Sequence, residues 1–224
     1  MGRIKGIIFD VGGTLIYPVD PVGETYARLA RIHGVKLSAE ATTVAFHEAM
    51  KSLSPRAKGS IPSDGNDRVH WKQVVRLSVP VEAFPNSPEF DAFFEEAYTY
   101  FAKPEAWGLY PEVLEVLEAL RDHPVDLAVL SNWDGRLHAV LDGLGLGEWL
   151  PRRFISAELG WEKPDPCIYR HVTDVLRLAP ATLLSVGDDS RTDVEGPRKA
   201  GWQAAQIERP KRDLWSAVRA VTKR

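Results

Sequence analysis

The stretch Ile4-Lys5-Gly6-Ile7-Ile8-Phe9-Asp10-Val11-Gly12-Gly13-Thr14-Leu15 decides the fold of this 224-residue chain. Its first six residues are mostly apolar and rich in β-branched side chains, which is typical of a buried parallel strand. Asp10 follows at the carboxyl end of that strand, and two glycines and a hydroxyl come shortly after it. Ligands bind at this edge of open α/β sheets, so the Asp10 carboxylate is placed to attack an electrophile or to hold a metal.

Four later segments resemble this first strand, and helical patterns separate them. The predicted strands cover residues 125–130, 154–157, 182–186 and 203–207, and the predicted helices cover residues 111–121, 136–144, 166–178 and 192–200. Strands that alternate with helices imply a parallel sheet with helices on both faces. We therefore predict an α/β protein with a Rossmann-like parallel sheet at its core.

The segment 17–106 interrupts this alternation, because it contains no convincing strand. Its predicted helices cover residues 23–33, 39–53, 69–77 and 89–101, and its predicted loop covers residues 54–67. We predict a core domain of residues 1–16 and 107–224 and a small all-helical cap domain of residues 17–106. Inserts at the ligand-binding edge of a sheet often act as lids.

The composition is that of an ordinary globular protein, with 44% hydrophobic residues, 26% charged residues and a formal net charge of −3. Such a charge provides no broad basic surface, so we expect no nucleic-acid partner. We also expect no membrane association, because no apolar run is long enough for a span and no signal-peptide pattern is found. The single cysteine, Cys167, suits a reducing compartment, so we expect a cytoplasmic protein.

Polar side chains follow three of the predicted strands, at the edge where ligands bind. These side chains are Asp10 with Thr14, Ser131 with Asn132, and Asp188 with Asp189 and Asp193. Clustered carboxylates repel one another unless a cation neutralises them, and Mg²⁺ is the usual oxygen-bound cation where phosphate also binds. Ser131 and Asn132 could donate hydrogen bonds to phosphoryl oxygens. Lys163 is a candidate to balance the charge that builds on those oxygens.

Four motifs lie in order along the chain. They are Asp10-Val11-Gly12-Gly13-Thr14-Leu15, then Leu130-Ser131-Asn132, then Lys163 in Gly160-Trp161-Glu162-Lys163-Pro164-Asp165-Pro166, and last Val186-Gly187-Asp188-Asp189-Ser190-Arg191-Thr192-Asp193. In sequence and order they resemble the motifs of haloacid dehalogenase-like (HAD) superfamily hydrolases with a helical cap after the first motif. The resemblance covers essentially the whole chain. It implies a Mg²⁺-dependent phosphatase of a small phosphorylated metabolite, acting through an aspartyl-phosphate on Asp10. We expect a monomer or a small homo-oligomer.

The resemblance also implies roles for individual residues at the metal site. Asp10 would be the nucleophile and a Mg²⁺ ligand. The backbone carbonyl of Gly12 would be a second ligand, and Asp188 would be the third ligand from the protein. Asp193 would support the metal site from nearby.

Four further residues receive roles around the phosphoryl group from the same resemblance. Ser131 and Lys163 would bind the group during its transfer and count with Asp10 as catalytic residues. Asn132 and Thr14 would position the group. All eight residues lie in the four motifs.

Gly12 departs from the family pattern. Family phosphatases carry an aspartate there that protonates the leaving oxygen, and such help is typically worth roughly 10²- to 10⁴-fold in rate. The reaction type therefore stays open. One alternative is a 2-haloacid dehalogenase, although family dehalogenases carry a bulky aromatic residue at this position, and another is a phosphonate hydrolase, which needs an imine-forming lysine such as Lys51 or Lys58. A third is a catalytically weak relative that binds a phosphorylated ligand or a protein partner.

Overall fold

A parallel five-stranded sheet forms the centre of the fold in this computed structural model, which describes residues 3–53 and 61–222. The strands in chain order are β1 (Gly6–Phe9), β2 (Ile16–Pro18), β3 (Trp107–Leu109), β4 (Asp126–Ser131), β5 (Arg152–Ile155), β6 (Leu183–Gly187) and β7 (Gln203–Gln206). The large sheet has the order β5-β4-β1-β6-β7, and β2 pairs with β3 in a separate sheet of two strands. The parallel sheet and the helices that alternate with its strands confirm the predicted α/β class.

The chain divides into two compact units. We call the residues up to Tyr17 together with those from Leu109 onward the core unit, and Pro18–Gly108 the helical unit. The large sheet lies entirely within the core unit. Both boundaries between the units fall within the short strands β2 and β3.

Strand β1 lies in the middle of the large sheet, between β4 and β6, and all four of its residues are buried. Phe9, its last residue, is level with Val129 on one side and Val186 on the other. Because all three strands run in the same direction, the residues that follow them reach one edge of the sheet together. This register brings the first, second and fourth motifs to a common edge.

Six helices complete the described part of the core unit. They are α5 (Val113–Arg121), α6 (Arg136–Gly143), α7 (Ser156–Leu159), α8 (Pro166–Leu176), α9 (Gly196–Lys199) and α10 (Leu214–Thr222). Helix α8 begins where the Asp165 side chain accepts a hydrogen bond from the Cys167 amide at 2.8 Å. Its residues Ile168, Tyr169 and Val172 lie one turn apart or adjacent and are fully buried against the sheet. Burial of such a side chain contributes about 1.5–3 kcal/mol, so this apolar face fixes α8 on the sheet.

The helical unit contains four longer helices around an aromatic core. They are α1 (Val22–Ile32), α2 (Ala39–Ser52), α3 (Asp64–Ser78) and α4 (Ser87–Tyr100). Phe93 lies at the centre of this core, where its ring stacks on Phe84 with 4.6 Å between centroids and meets the edge of Tyr26. No helix within residues 3–53 and 61–222 is both long enough and apolar enough to cross a membrane.

Three element predictions need correction. The strand predicted over residues 154–157 ends at Ile155, because Ser156 begins the short helix α7. The helix predicted over residues 192–200 is a π-helical segment, Ser190–Glu195, followed by α9. The loop predicted over residues 54–67 ends earlier, because Ser63 accepts a hydrogen bond from the Asn66 amide and caps α3 from Asp64 onward. Lys58 and the rest of segment 54–60 lie outside the described residues.

Candidate active site

Three carboxylates meet at the carboxyl edge of the sheet. Asp10 directly follows β1, and its backbone amide donates to the Val186 carbonyl of the neighbouring strand at 2.8 Å. Asp188 directly follows β6. One carboxylate oxygen from each of Asp10, Asp188 and Asp193 lies within 4.8 Å of the others. The structure thus brings together the three acidic residues that the sequence assigned to a metal site.

The π-helical segment Ser190–Glu195 places Asp193 among these carboxylates. The side chain of Asp189 caps that segment by accepting hydrogen bonds from the amides of Arg191 and Thr192 at 2.9 and 2.8 Å. Burial alone would raise the pKa of Asp189, but these hydrogen bonds lower it, as expected for a capping carboxylate. Asp189 therefore shapes the turn, while Asp193, four residues later, is buried and faces the site.

Lys163 is buried between two of the carboxylates. Its Nζ donates to Asp10 Oδ1 at 2.8 Å and to Asp193 Oδ1 at 2.6 Å, and only 4% of its side chain is exposed. The Asn132 side chain holds the Lys163 backbone, since its Oδ1 accepts from the Lys163 amide at 2.7 Å and its Nδ2 donates to the Lys163 carbonyl at 2.9 Å. Asn132 therefore positions Lys163, and Ser131 is the buried last residue of β4 beside it.

The pKa values at the site reflect its burial and its excess of negative charge. Burial raises the pKa of Asp10 to about 7; the Lys163 charge works against this rise, and Asp193 adds to it. Burial and the charge of Asp193 likewise raise the pKa of Asp188. Burial alone would lower the pKa of Lys163, but the charges of Asp10 and Asp193 outweigh it and raise that pKa. Lys163 thus stays protonated, but its single positive charge does not balance the negative charges of the three carboxylates.

The loop after Asp10 closes around Asp188. Gly13 has a φ of +78°, a left-handed conformation that favours glycine, and a Cβ there would lie 2.5 Å from Asp188 Oδ2. The buried Thr14 hydroxyl donates to Asp188 Oδ1 at 3.2 Å. In this structure Thr14 therefore orients a carboxylate of the cluster.

Gly12 lies next to an aromatic ring. A Cβ added at Gly12 would be 3.6 Å from Cζ3 of Trp133, an ordinary van der Waals distance. Trp133 is held by Ser156, whose hydroxyl accepts from the Trp133 amide and donates to the Trp133 carbonyl, both at 3.1 Å. The indole of Trp133 therefore borders the site at position 12, where this chain has no carboxylate.

The sequence reasoning missed Arg209. Its guanidinium donates to the carbonyls of Gly13 and Thr14, in the loop after Asp10, at 2.9 and 2.8 Å. Arg209 lies three residues beyond β7 in the polar stretch Glu208-Arg209-Pro210-Lys211-Arg212. No spacing or periodicity in that stretch distinguishes one basic residue from the others, so the sequence contained no local signal for this contact.

The acidic cluster fits a small divalent cation. At a metal–oxygen distance of about 2.1 Å, oxygens on opposite sides of Mg²⁺ are about 4.2 Å apart, close to the spread of the three carboxylates. Three carboxylates and one ammonium group leave two negative charges in excess, which is the charge that one Mg²⁺ balances. Oxygen-only ligands suit a hard ion.

Comparisons with known proteins agree on a family. The family described as haloacid dehalogenase-like hydrolase matches residues 4–201. "Haloacid dehalogenase-like hydrolase domain-containing protein 3" from Homo sapiens is 30% identical over 209 residues, which cover 93% of this chain and 83% of that protein.

Two solved structures share the fold. A dehalogenase with an intermediate complex aligns with a TM-score of 0.71 and 21% identity, covering 94% of this chain and 87% of that one. A HAD phosphatase from Thermococcus onnurineus aligns with a TM-score of 0.66 and 19% identity, covering 96% of this chain and 97% of that one. At these identities the alignments show the fold alone and do not decide between dehalogenation and phosphate-ester hydrolysis.

Proposed function

We propose that this chain, which belongs to the haloacid dehalogenase-like hydrolase family, is a Mg²⁺-dependent phosphatase of a small phosphorylated metabolite. The observation that supports this activity best is the cluster of Asp10, Asp188 and Asp193 around the buried ammonium group of Lys163. The spacing of the carboxylates and their excess negative charge support binding of a divalent cation. An anionic nucleophile needs that cation to approach an anionic phosphoryl group.

In the proposed first step, a carboxylate oxygen of Asp10 attacks phosphorus. The bond from phosphorus to the leaving oxygen breaks, its electron pair departs with the leaving group, and an aspartyl-phosphate forms on Asp10. Asp10, Asp188 and the carbonyl of Gly12 would hold Mg²⁺, which supplies positive charge to the phosphoryl oxygens. Lys163 adds its own charge there and orients Asp10 through the hydrogen bond to Oδ1.

The remaining site residues keep these groups in place. Asp193 holds Lys163 through its Oδ1, and Asn132 fixes the backbone of Lys163. Thr14 orients Asp188 through its hydroxyl. The Ser131 hydroxyl would donate a hydrogen bond to a phosphoryl oxygen. In the second step a water molecule attacks phosphorus, the acyl–phosphate bond breaks, and Asp10 is regenerated with release of inorganic phosphate and a proton.

A 2-haloacid dehalogenase is the second candidate. The absence of an acid at position 12 is compatible with this reaction, although Gly12 does not match the bulky aromatic residue of family dehalogenases. A halide leaves without a proton, so a site with no acid at position 12 loses nothing in that reaction. The indole of Trp133 beside Gly12 also provides an apolar surface for a halocarbon. In that case Asp10 would attack carbon, and the enzyme would need no metal.

A turnover assay separates these functions. Wild-type protein is incubated with an aryl phosphate, with Mg²⁺ or with EDTA, and in parallel with a 2-haloacid. We expect phosphate release that depends on Mg²⁺ and that Asp10→Asn abolishes. We also expect that borohydride traps an aspartyl-phosphate in the wild-type protein. Asp126→Asn is the matched control, because Asp126 pairs with Arg152 at the opposite end of β4. Metal-independent halide release would assign the dehalogenase, and no turnover of either substrate would favour a binding protein.

A further inference from the structure

Arg209 joins the loop after Asp10 to another part of the core unit. Its Nη1 donates to the Gly13 carbonyl at 2.9 Å, and its Nη2 donates to the Thr14 carbonyl at 2.8 Å. The two carbonyls belong to consecutive residues, so one planar guanidinium fixes the orientation of two neighbouring peptide groups. These peptide groups follow directly after Gly12, whose own carbonyl is assigned to the cation.

Two residues near the start of α5 hold the guanidinium itself. Glu112 Oε1 accepts from Arg209 Nη2 at 2.8 Å and from Nε at 3.2 Å. The Tyr110 ring lies under the guanidinium carbon, 3.5 Å from the ring centroid, and the Tyr110 amide donates to the Leu15 carbonyl at 3.1 Å. Only 20% of the Arg209 side chain and 15% of the Glu112 side chain are exposed, so water competes little for these contacts.

The contact continues from the loop into the acidic cluster. Arg209 holds the carbonyl of Thr14, and the hydroxyl of the same residue donates to Asp188 Oδ1 at 3.2 Å. The neighbouring Gly13 passes so close to Asp188 that no Cβ would fit between them. A shift of this loop would therefore move the partner of Asp188 and the carbonyl of Gly12 together.

We propose that Arg209 is a positioning residue, which holds the loop Gly12–Thr14 in the geometry that the reaction of Asp10 requires. The catalytic part of this proposal rests on the proposed function, and the anchoring of the loop does not. Arg209 acts through the backbone of Gly13 and Thr14 and through the clamp formed by Glu112 and Tyr110. Groups that orient metal ligands from outside typically change metal affinity or activity by roughly 10- to 100-fold when they are removed.

Lysine cannot replace arginine in this role. A lysine ammonium keeps the charge, but it has no planar fork to bond two carbonyls and a carboxylate while stacking on a ring. Arg209→Lys therefore removes the geometry and leaves the charge. Arg153 is a matched control in the same unit, since its guanidinium also bonds two backbone carbonyls, those of Leu150 and His138, and the carboxylate of Asp142.

The experiment compares wild type, Arg209→Lys and Arg153→Lys in the full chain. Hydrogen exchange with mass spectrometry is read on the peptide that covers residues 10–17, and steady-state hydrolysis of an aryl phosphate is measured at a series of Mg²⁺ concentrations. For Arg209→Lys we expect faster exchange in residues 10–17, at least a roughly tenfold lower kcat, and a higher Mg²⁺ concentration for half-maximal rate. Arg153→Lys should change the melting temperature by about as much as Arg209→Lys does. It should leave the exchange in residues 10–17, kcat and the half-maximal Mg²⁺ concentration near the wild-type values.

A second pair of variants tests the clamp. Tyr110→Phe keeps the stacked ring and should behave as wild type, whereas Tyr110→Leu removes it and should shift exchange and kcat in the same direction as Arg209→Lys. Unchanged exchange in residues 10–17 of Arg209→Lys would overturn the anchoring. Unchanged kcat and Mg²⁺ dependence, or equal losses in Arg153→Lys, would overturn the positioning role. If wild type hydrolyses no phosphate ester, the proposed function fails, and the exchange comparison still decides whether Arg209 anchors the loop.

Discussion

Gly12 has no side chain beside Asp10, the proposed nucleophile, yet the structure has room for a side chain there. Its φ is not positive, unlike that of Gly13, and an added Cβ would meet the Trp133 ring at 3.6 Å. A residue with a side chain is therefore compatible with the backbone at position 12. The missing carboxylate is a chemical property of this sequence and is not required by the fold.

Gly12→Asp should change which substrates the enzyme cleaves. In the wild type an alkoxide must leave without a proton from this position, so log kcat/KM should fall steeply as the leaving-group pKa rises. The aspartate should supply that proton and flatten the slope by improving poor leaving groups most, by roughly 10²-fold or more. The measurement is kcat/KM for a series of aryl and alkyl phosphates under conditions where chemistry limits the rate.

Gly12→Asn is the matched control for this experiment. Asparagine has nearly the same shape as aspartate but cannot donate a proton as an acid, so it should keep the steep slope of the wild type. A flat slope in the wild type would contradict the expectation, because it would mean that another group already supplies the proton.

At the scale of elements, the end of β6 and the π-helical segment after it depend on each other. A Cβ at Gly187, the last residue of β6, would overlap the side chain of Asp193. The Asp193 carboxylate also accepts from the Asp189 amide at 3.1 Å and from Lys163 Nζ, so it cannot move aside without breaking both contacts. Because Gly187 has no side chain, Asp193 can pack closely against the end of β6. The π-helical segment thereby places the Asp193 carboxylate in the site.

Gly187→Ala should push the π-helical segment away from the end of β6. The added methyl group should lower the free energy of unfolding by about 2 kcal/mol, as overpacking of a filled site typically does, and should lower activity by displacing Asp193 from Lys163. Chemical denaturation and turnover measure the two effects. Gly65→Ala in α3, where an added Cβ meets nothing within 4 Å, is the control and should not lose stability. A Gly187→Ala enzyme with normal stability and turnover would show that Asp193 is not fixed by this contact.

At the scale of the whole molecule, the cluster should make stability depend on pH and on the proposed Mg²⁺. The pKa of Asp10 is about 7 in the folded, metal-free protein, well above its ordinary value near 3.9 in an unfolded chain. Between these values the folded state binds the extra proton, so the free energy of unfolding falls as pH rises from about 4 to about 7. The raised pKa of Asp188 acts in the same direction.

Mg²⁺ should reverse this loss of stability. The cation binds the ionised carboxylates, and above pH 7 it displaces no proton from Asp10, so it should stabilise the protein more at pH 8 than at pH 5.5. The measurement is the difference in melting temperature with Mg²⁺ and with EDTA at both pH values. Asp188→Asn should reduce the difference at pH 8, whereas Asp126→Asn, at the opposite end of β4, should not. Equal Mg²⁺ effects at both pH values would contradict a metal site that contains Asp10.

The sequence by itself determined the order of the elements and the chemistry of the strand ends. Strand and helix patterns are local, so the central strands were predicted to within a few residues, and parallel pairing then brings the residues after β1, β4 and β6 to one edge. Four motifs in order also identified the family. The end of β5 and the π-helical segment were predicted wrongly. The pattern of apolar and polar residues at these two places is compatible with more than one secondary structure.

Only the tertiary structure decided which side chains touch. Arg209 reaches the carbonyl of Thr14 across 195 residues of sequence, and Lys163 reaches Asp10 across 153. Such contacts depend on how distant elements pack, and periodicity carries no information about that packing. The same holds for Trp133, which borders Gly12 because Ser156, at the start of α7, holds its backbone. The sequence named the candidate reacting groups, and the packing of distant segments set their positions.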